Sequence, residues 1–232
     1  PRPGITARIV DENDEEVAPG VVGELVLRAD DPSEFNLGYW RNPEKTAEAF
    51  DDEGYYCIGD AVRFADPESL DQGLVFDGRV TEDFKLSTGT WVNFASVRSS
   101  VIAACAPLIR DVVVTGLDCN YIGAMIFPDL EACCRHAGLP AGTSAGEIVS
   151  HPRVRAHFET ALGELARAAT GSSNHVARAI LLEALPDIDK GEVTDKGSIN
   201  QRAVRTHRAH LIEQLHAEQP GADVMIFSRK GN

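Results

Sequence analysis

The chain has 232 residues, 43% of them hydrophobic and 25% charged, the balance of a globular protein with room for one large domain or two small ones. Its formal charge of −14 argues against nucleic acid or an anionic membrane as the partner of its surface at large, and no apolar run approaches the roughly 20 residues that cross a bilayer. Residues 1–80 carry 7 basic and 19 acidic groups, whereas residues 81–232 carry 15 and 17, a break that fits either a second part suited to lie beside an anionic small molecule or acidic loops that merely solvate the first.

Two alternating or continuous apolar stretches, ITARIVD and GELVLRA, flank an acidic turn with Pro19-Gly20 and read as a hairpin-like β unit. Asn42-Pro43 opens a short helix to Phe50, with Pro43 suited to the first turn. Tyr55 to Ile58 reads as a strand, Gly59-Asp60 as a tight turn, Ala61 to Phe64 as its continuation, and LVFDGR as a further strand.

The character then changes. Phe84 to Leu86 and Thr90 to Val92 read as short strands around Gly89, followed by a helix near Ala95 to Ala104 that Pro107 limits. DVVVTGL and AMIFPD are apolar strands, and Leu130 to Ala137 is helical. Ser144 and Glu147 have capping-box spacing ahead of a long helix with Val154, Phe158, Leu162 and Leu165 on one face. His175 to Leu182 is a strand, Pro186 to Lys196 an irregular loop, Ile199 to Ala217 one last amphipathic helix, and the tail after Pro220 is expected to fray. The order implies an α+β fold, with a β-rich unit followed by a compact domain of about 150 residues.

PRPGITARIV lacks the zones of a secretion signal, and a cytoplasmic location is expected. Cys57, Cys105, Cys119, Cys133 and Cys134 form no CxxC pair, so neither a disulfide framework nor a zinc site is indicated. The seven histidines find no partner constellation, and no metal site is expected. The first residues, with Pro3-Gly4 leading into a strand, read as the interior of a longer chain.

In order along the chain stand GELVLRADD, LGYWRNPEKTAEAF, DEGYYCIGDAVRF and LVFDGRVTEDFKLSTGTWV. This succession resembles the C-terminal third of adenylate-forming enzymes, the superfamily of acyl-CoA synthetases, luciferases and peptide-synthetase adenylation domains. Within it, VFDGRVTEDFKLSTGTWV and GEVTDKGSINQRAV are most similar to feruloyl-CoA synthetase, which activates hydroxycinnamic acids. The resemblance implies residues 1–79 as the β-rich end of the large adenylating domain, 80–83 as a hinge and 84–232 as the small mobile domain.

It also implies roles. Asp60 would accept the ribose hydroxyls of ATP, since an ionised, fixed carboxylate takes two donors at once, and Arg79 would contact the nucleotide through its planar fork. The pivot would fall at Thr81, where relatives commonly have Asp or Lys, or at the adjacent Glu82. Lys85, Ser87 and Gly89 would lie on the loop that faces the active site during thioester formation, with Thr90 and Trp91 as packing residues. Ser96 stands about where relatives often have a glutamate. Lys196, or alternatively Lys190, would neutralise charge on the reacting oxygens during adenylation.

The implied substrates are an aryl or acyl carboxylate, ATP with Mg2+, and coenzyme A. The large N-terminal domain of the same enzyme is an implied partner, without which these residues alone are expected to be inactive. A homodimer is left open. A carrier-protein-directed adenylating enzyme of the carboxylic acid reductase type, and a non-catalytic interaction module, stand as alternatives.

Overall fold

The computed structural model describes residues 4–11, 14–31, 38–80 and 83–229. The chain divides into two compact units, Pro1–Glu82 and Asp83–Asn232.

In the first unit, β1 (Ile5–Val10), β2 (Gly23–Ala29), β3 (Tyr56–Phe64) and β4 (Leu74–Arg79) form an antiparallel sheet in chain order. Its small core gathers Val10, Val26 and Tyr55. Helix α1 (Pro43–Glu48) starts as its sequence dictates, with the Asn42 side chain accepting the Lys45 N–H and proline in the first turn. Thr46 Oγ1 donates to Asn42 O at 2.8 Å and accepts Tyr39 N–H at 2.9 Å, which ties the Gly-Tyr-Trp segment to the helix.

The expected turn at Gly59-Asp60 is absent. Both residues lie inside β3, which runs on through a bulge, with the registers to its two neighbours slipping between Glu24 and Val26 on one side and between Asp60 and Val62 on the other.

The second unit is a three-layer sandwich. Its central sheet has the order β10 (Met225–Ile226), β9 (Val176–Leu181), β8 (Ile122–Pro128), β7 (Ile109–Thr115), with β8 and β9 parallel and the other pairs antiparallel. Val112, Val114, Ile122, Ala124 and Ile126 join one core with α2 (Phe94–Cys105), α3 (Leu130–Ala137), α4 (Ala145–Ser150) and α5 (Pro152–Ala168). Val113, Met125, Phe127 and Ile180 join the other with α6 (Gln201–His207) and α7 (Ala209–His216). Burial on both faces is the reason β7 and β8 read as continuous apolar runs. Strand β7 is an edge, and at Val112 the N–H is taken by Asp111 Oδ1 at 2.7 Å and the carbonyl by Gln201 Nε2 at 3.0 Å, which blocks edge pairing there.

Four further expectations are corrected. The capping box at Ser144 and Glu147 opens the six-residue α4, not the long helix; His151, which precedes Pro152 and is extended, separates α4 from α5. The fourth residue of the α5 core stripe is Ala166, with Leu165 only partly buried. The last helix is broken at Arg208 (φ −109, ψ 29), and the segment expected to fray contains β10, whose Met225 and Ile226 pair with Ala179 and Arg178.

Candidate nucleotide and thiol-side sites

In the first unit, Asp60 and Arg79 are cross-strand partners on β3 and β4, with Arg79 Nε 3.0 Å from Asp60 Oδ1. The contact is an ion pair without hydrogen-bond alignment, so among the described residues the buried Oδ1 keeps an unfilled acceptor site. Arg79 is the more exposed of the two, with 60% of its side chain accessible against 29% for Asp60. Glu24, which sequence reasoning missed, completes the cluster: its Oε1 accepts the Gly59 N–H at 3.1 Å. Burial raises the Glu24 carboxyl above its ordinary range against the lowering effect of that bond, and Asp14 and Asp60 raise it further. The Gly-Glu-Leu spelling was visible, but the contact spans 35 residues and depends on two bulges.

In the second unit, Lys85, Ser87 and Gly89 lie together on the hairpin of β5 (Phe84–Lys85) and β6 (Trp91–Val92). Leu86 N–H donates to Thr90 O, and Gly89 N–H to Leu86 O, closing the turn. Gly89 has φ +80, a conformation that favours glycine, and no atom of the described residues lies within 4 Å of where its Cβ would be. The hairpin is fastened to two other turns: Ser87 N–H donates to Cys119 O, Ser87 Oγ donates to Asn120 Oδ1 at 2.7 Å, and Thr90 Oγ1 lies 3.0 Å from Ser172 Oγ. These partners also escaped the sequence, because nothing local marks turns 30 to 80 residues away as neighbours. Trp91, expected as a packing residue, is 43% exposed with Lys85 Nζ 5.7 Å from its ring centre. Ser96 lies in the first turn of α2, where its N–H donates to the capping Asn93 side chain. The proposed pivot residues Thr81 and Glu82 lie outside the described residues.

The two late lysines occupy different turns. Lys190 pairs with Asp187 Oδ2 at 3.3 Å in a turn closed by Gly191 N–H to Ile188 O. Lys196 is exposed near the tip of a hairpin closed by Thr194 N–H to Ser198 O and Gly197 N–H to Thr194 O, and forms no ion pair among the described residues. Between them Glu192 is buried against Arg208.

Cys105 and Cys133 are buried and their thiols are pushed up to about 12, so neither supplies a thiolate. Among the described residues no group of three or more His, Cys, Asp or Glu is placed to hold a metal ion, and no helix is long and apolar enough to cross a membrane.

No family model matches the chain. It is similar to the carboxylic acid reductase of Segniliparus rugosus, 28% identical over 183 residues that make up 78% of this chain and 14% of the reductase. It is also similar to the long-chain-fatty-acid–CoA ligase FadD15 of Mycobacterium tuberculosis, 28% identical over 222 residues, 94% of this chain and 34% of the ligase. Among solved structures, 94% of the chain matches 32% of the A domain of the carboxylic acid reductase from Segniliparus rugosus, solved with AMP and a co-purified carboxylic acid, with a TM-score of 0.69 at 24% identity. The chain therefore spans only 14% and 34% of the two curated relatives.

The fold is a mixed α+β arrangement that matches part of an adenylation domain. Taken with the sequence likeness, it supports the adenylate-forming superfamily, which includes both CoA ligases and the A domains of carboxylic acid reductases.

Proposed function

We propose that the chain is the C-terminal part of an ATP-dependent enzyme that activates a carboxylic acid as its acyl-adenylate and passes the acyl group to a thiol. The observation that carries the reading is the apposition of Asp60 and Arg79 on adjacent strands, a paired acceptor and donor set suited to a ribose and its neighbouring oxygens. In the first half-reaction a carboxylate oxygen attacks the α-phosphorus of ATP, the bond to the β-phosphate oxygen breaks, and pyrophosphate leaves. Magnesium enters with the ATP phosphates as part of the substrate.

Lys196 is the better candidate to neutralise charge growing on the reacting oxygens, because Lys190 is already paired with Asp187. In the second half-reaction the thiol sulfur attacks the acyl carbonyl, the bond to the phosphate oxygen breaks, AMP leaves, and the thiol proton passes to solvent. In this reading, rotation about residues 80–83 exchanges Lys196 for the Gly89 hairpin at one site. The finer assignment is a hydroxycinnamic acid such as ferulate with coenzyme A as acceptor, supported by the resemblance of residues 75–92 and 191–204. A second reading, delivery to a carrier-protein thiol, is favoured by the likeness to the carboxylic acid reductase A domain.

The test is carboxylate-dependent exchange of pyrophosphate into ATP by the complete enzyme, followed by assay of the thioester. Exchange with ferulate and formation of feruloyl-CoA is the expected result. Exchange followed by acylation only of a carrier protein supports the second reading, and no exchange with any carboxylate overturns both.

A further inference from the structure

Gly59 adopts φ +77, yet no atom of the described residues lies within 4 Å of where its Cβ would be, so crowding among them does not force this conformation. What holds it is hydrogen bonding. The Gly59 N–H donates to Glu24 Oε1 at 3.1 Å, and Glu24 stands opposite Ala61 on the rung where the registers of β2 with β3 and of β3 with β4 both slip. The next residue after Gly59 is Asp60. A carboxylate in this half-buried place is costly, since burial and the nearby Asp14 and Asp60 all disfavour its charge. Bulges recur next to active sites, where they re-aim a side chain, and this one holds a half-buried acid.

We infer that Glu24 is a positioning residue for the nucleotide site: by holding the Gly59 N–H in the bulge it fixes the direction in which Asp60 presents its carboxylate to the ribose. The inference rests on the reading of Asp60 given under Proposed function. Glu24 acts through backbone and touches neither ATP nor the acid.

The experiment uses the complete enzyme and measures carboxylate-dependent pyrophosphate release with ATP and with 2′-deoxy-ATP, whose missing hydroxyl removes one donor to Asp60. In Glu24→Ala the preference for ATP over the deoxy analogue is expected to fall about tenfold, the effect of loosening one hydrogen bond to a charged group. The KM for the carboxylate should move less than twofold. Glu24→Gln keeps the accepting oxygen and should retain the preference. Glu24→Asp keeps the charge but shortens the reach, and should lose the preference as the alanine variant does, which supplies the answer if Glu24→Ala does not fold. An unchanged preference in both shortened variants, or a loss of turnover with the preference intact, overturns the inference. Asp60→Ala separates the two levels: if it abolishes the preference while the Glu24 variants do not, only the inference fails, and if it leaves the preference intact, the reading of Asp60 fails and the inference with it.

Discussion

Arg208 grips Glu192 in two hydrogen bonds, Nε to Oε1 at 3.0 Å and Nη2 to Oε2 at 2.6 Å, with only 10% and 2% of the two side chains exposed. The same guanidinium donates to the carbonyls of Ala184 and Leu185, and Glu192 also accepts the Asp187 N–H at 2.8 Å. Glu192 is thus the bolt of the loop that carries Lys190 and Lys196.

Removing one partner leaves the other charge buried and unpaired. Glu192→Ala should therefore cost about 3–5 kcal/mol and lower the Tm by roughly 10 °C, read by calorimetry. The pair replaced together, as Glu192→Leu with Arg208→Met, should cost clearly less than either single change. The hydrogen bonds from Arg208 hold the Glu192 carboxyl below its ordinary value. Its contribution is accordingly complete above the pKa of an unfolded glutamate and is lost as pH falls through the lower folded value.

Lys196 and Lys190 should separate by half-reaction. Lys196→Ala in the complete enzyme is expected to slow acyl-adenylate formation by about 10²–10³-fold, the size seen when one preorganised donor is removed. Thioester formation from supplied acyl-AMP should stay within twofold. Lys190→Ala breaks only an exposed pair with Asp187, and both half-reactions should be nearly unchanged. Pyrophosphate release and thioester formation, measured separately, decide between the lysines.

Gly89→Ala puts a side chain at φ +80 without a clash among the described residues, none of which has an atom within 4 Å of its Cβ position. The cost is backbone strain of about 1–2 kcal/mol. A fall in Tm of a few degrees is expected, with thioester formation reduced more than adenylation. Equal slowing of both half-reactions would detach the hairpin from the thiol step.

Elements set by near neighbours in sequence were legible. The Asn42 cap with Pro43, the β1–β2 hairpin, the helix Leu130–Ala137 and the Val154, Phe158, Leu162 stripe depend on spacing within a few turns. The misread places are governed from far away. Gly59-Asp60 looks like a turn because bulges are spelled with turn residues, and only pairing on both sides keeps the strand going. Residues 199–217 carry no glycine or proline, and the break falls where Arg208 is drawn to Glu192 and to the carbonyls 184 and 185. Strand β10 has two residues, too few for any periodicity. The candidate site divides the same way: Asp60 and Arg79 were visible as residue types in an ordered set, whereas Glu24, Asn120 and Ser172 enter only through contacts that span more than 30 residues.

His216 closes the last helix onto the sheet, with Nε2 3.0 Å from Thr115 Oγ1 and its ring stacked on Tyr121 at 4.9 Å. Its Nδ1 is buried without a hydrogen-bond partner among the described residues. Arg178 lies over the other side of the cluster, 4.8 Å from the Tyr121 ring centre, and donates to the carbonyls of Leu215 and Ala217. Burial first, and then the positive charge of Arg178, lower the His216 pKa below its ordinary value of 6.5. Between that lowered value and 6.5 the unfolded chain binds more protons than the folded one, so stability rises with pH across this window and is complete above it. His175, also lowered by burial, adds a slope of the same sign. Melting temperatures from pH 8 to pH 5 should fall, and His216→Gln should lower the Tm at pH 8 while flattening the decline, leaving the share of His175. A variant that melts with the parent slope would show that the proton is taken up elsewhere.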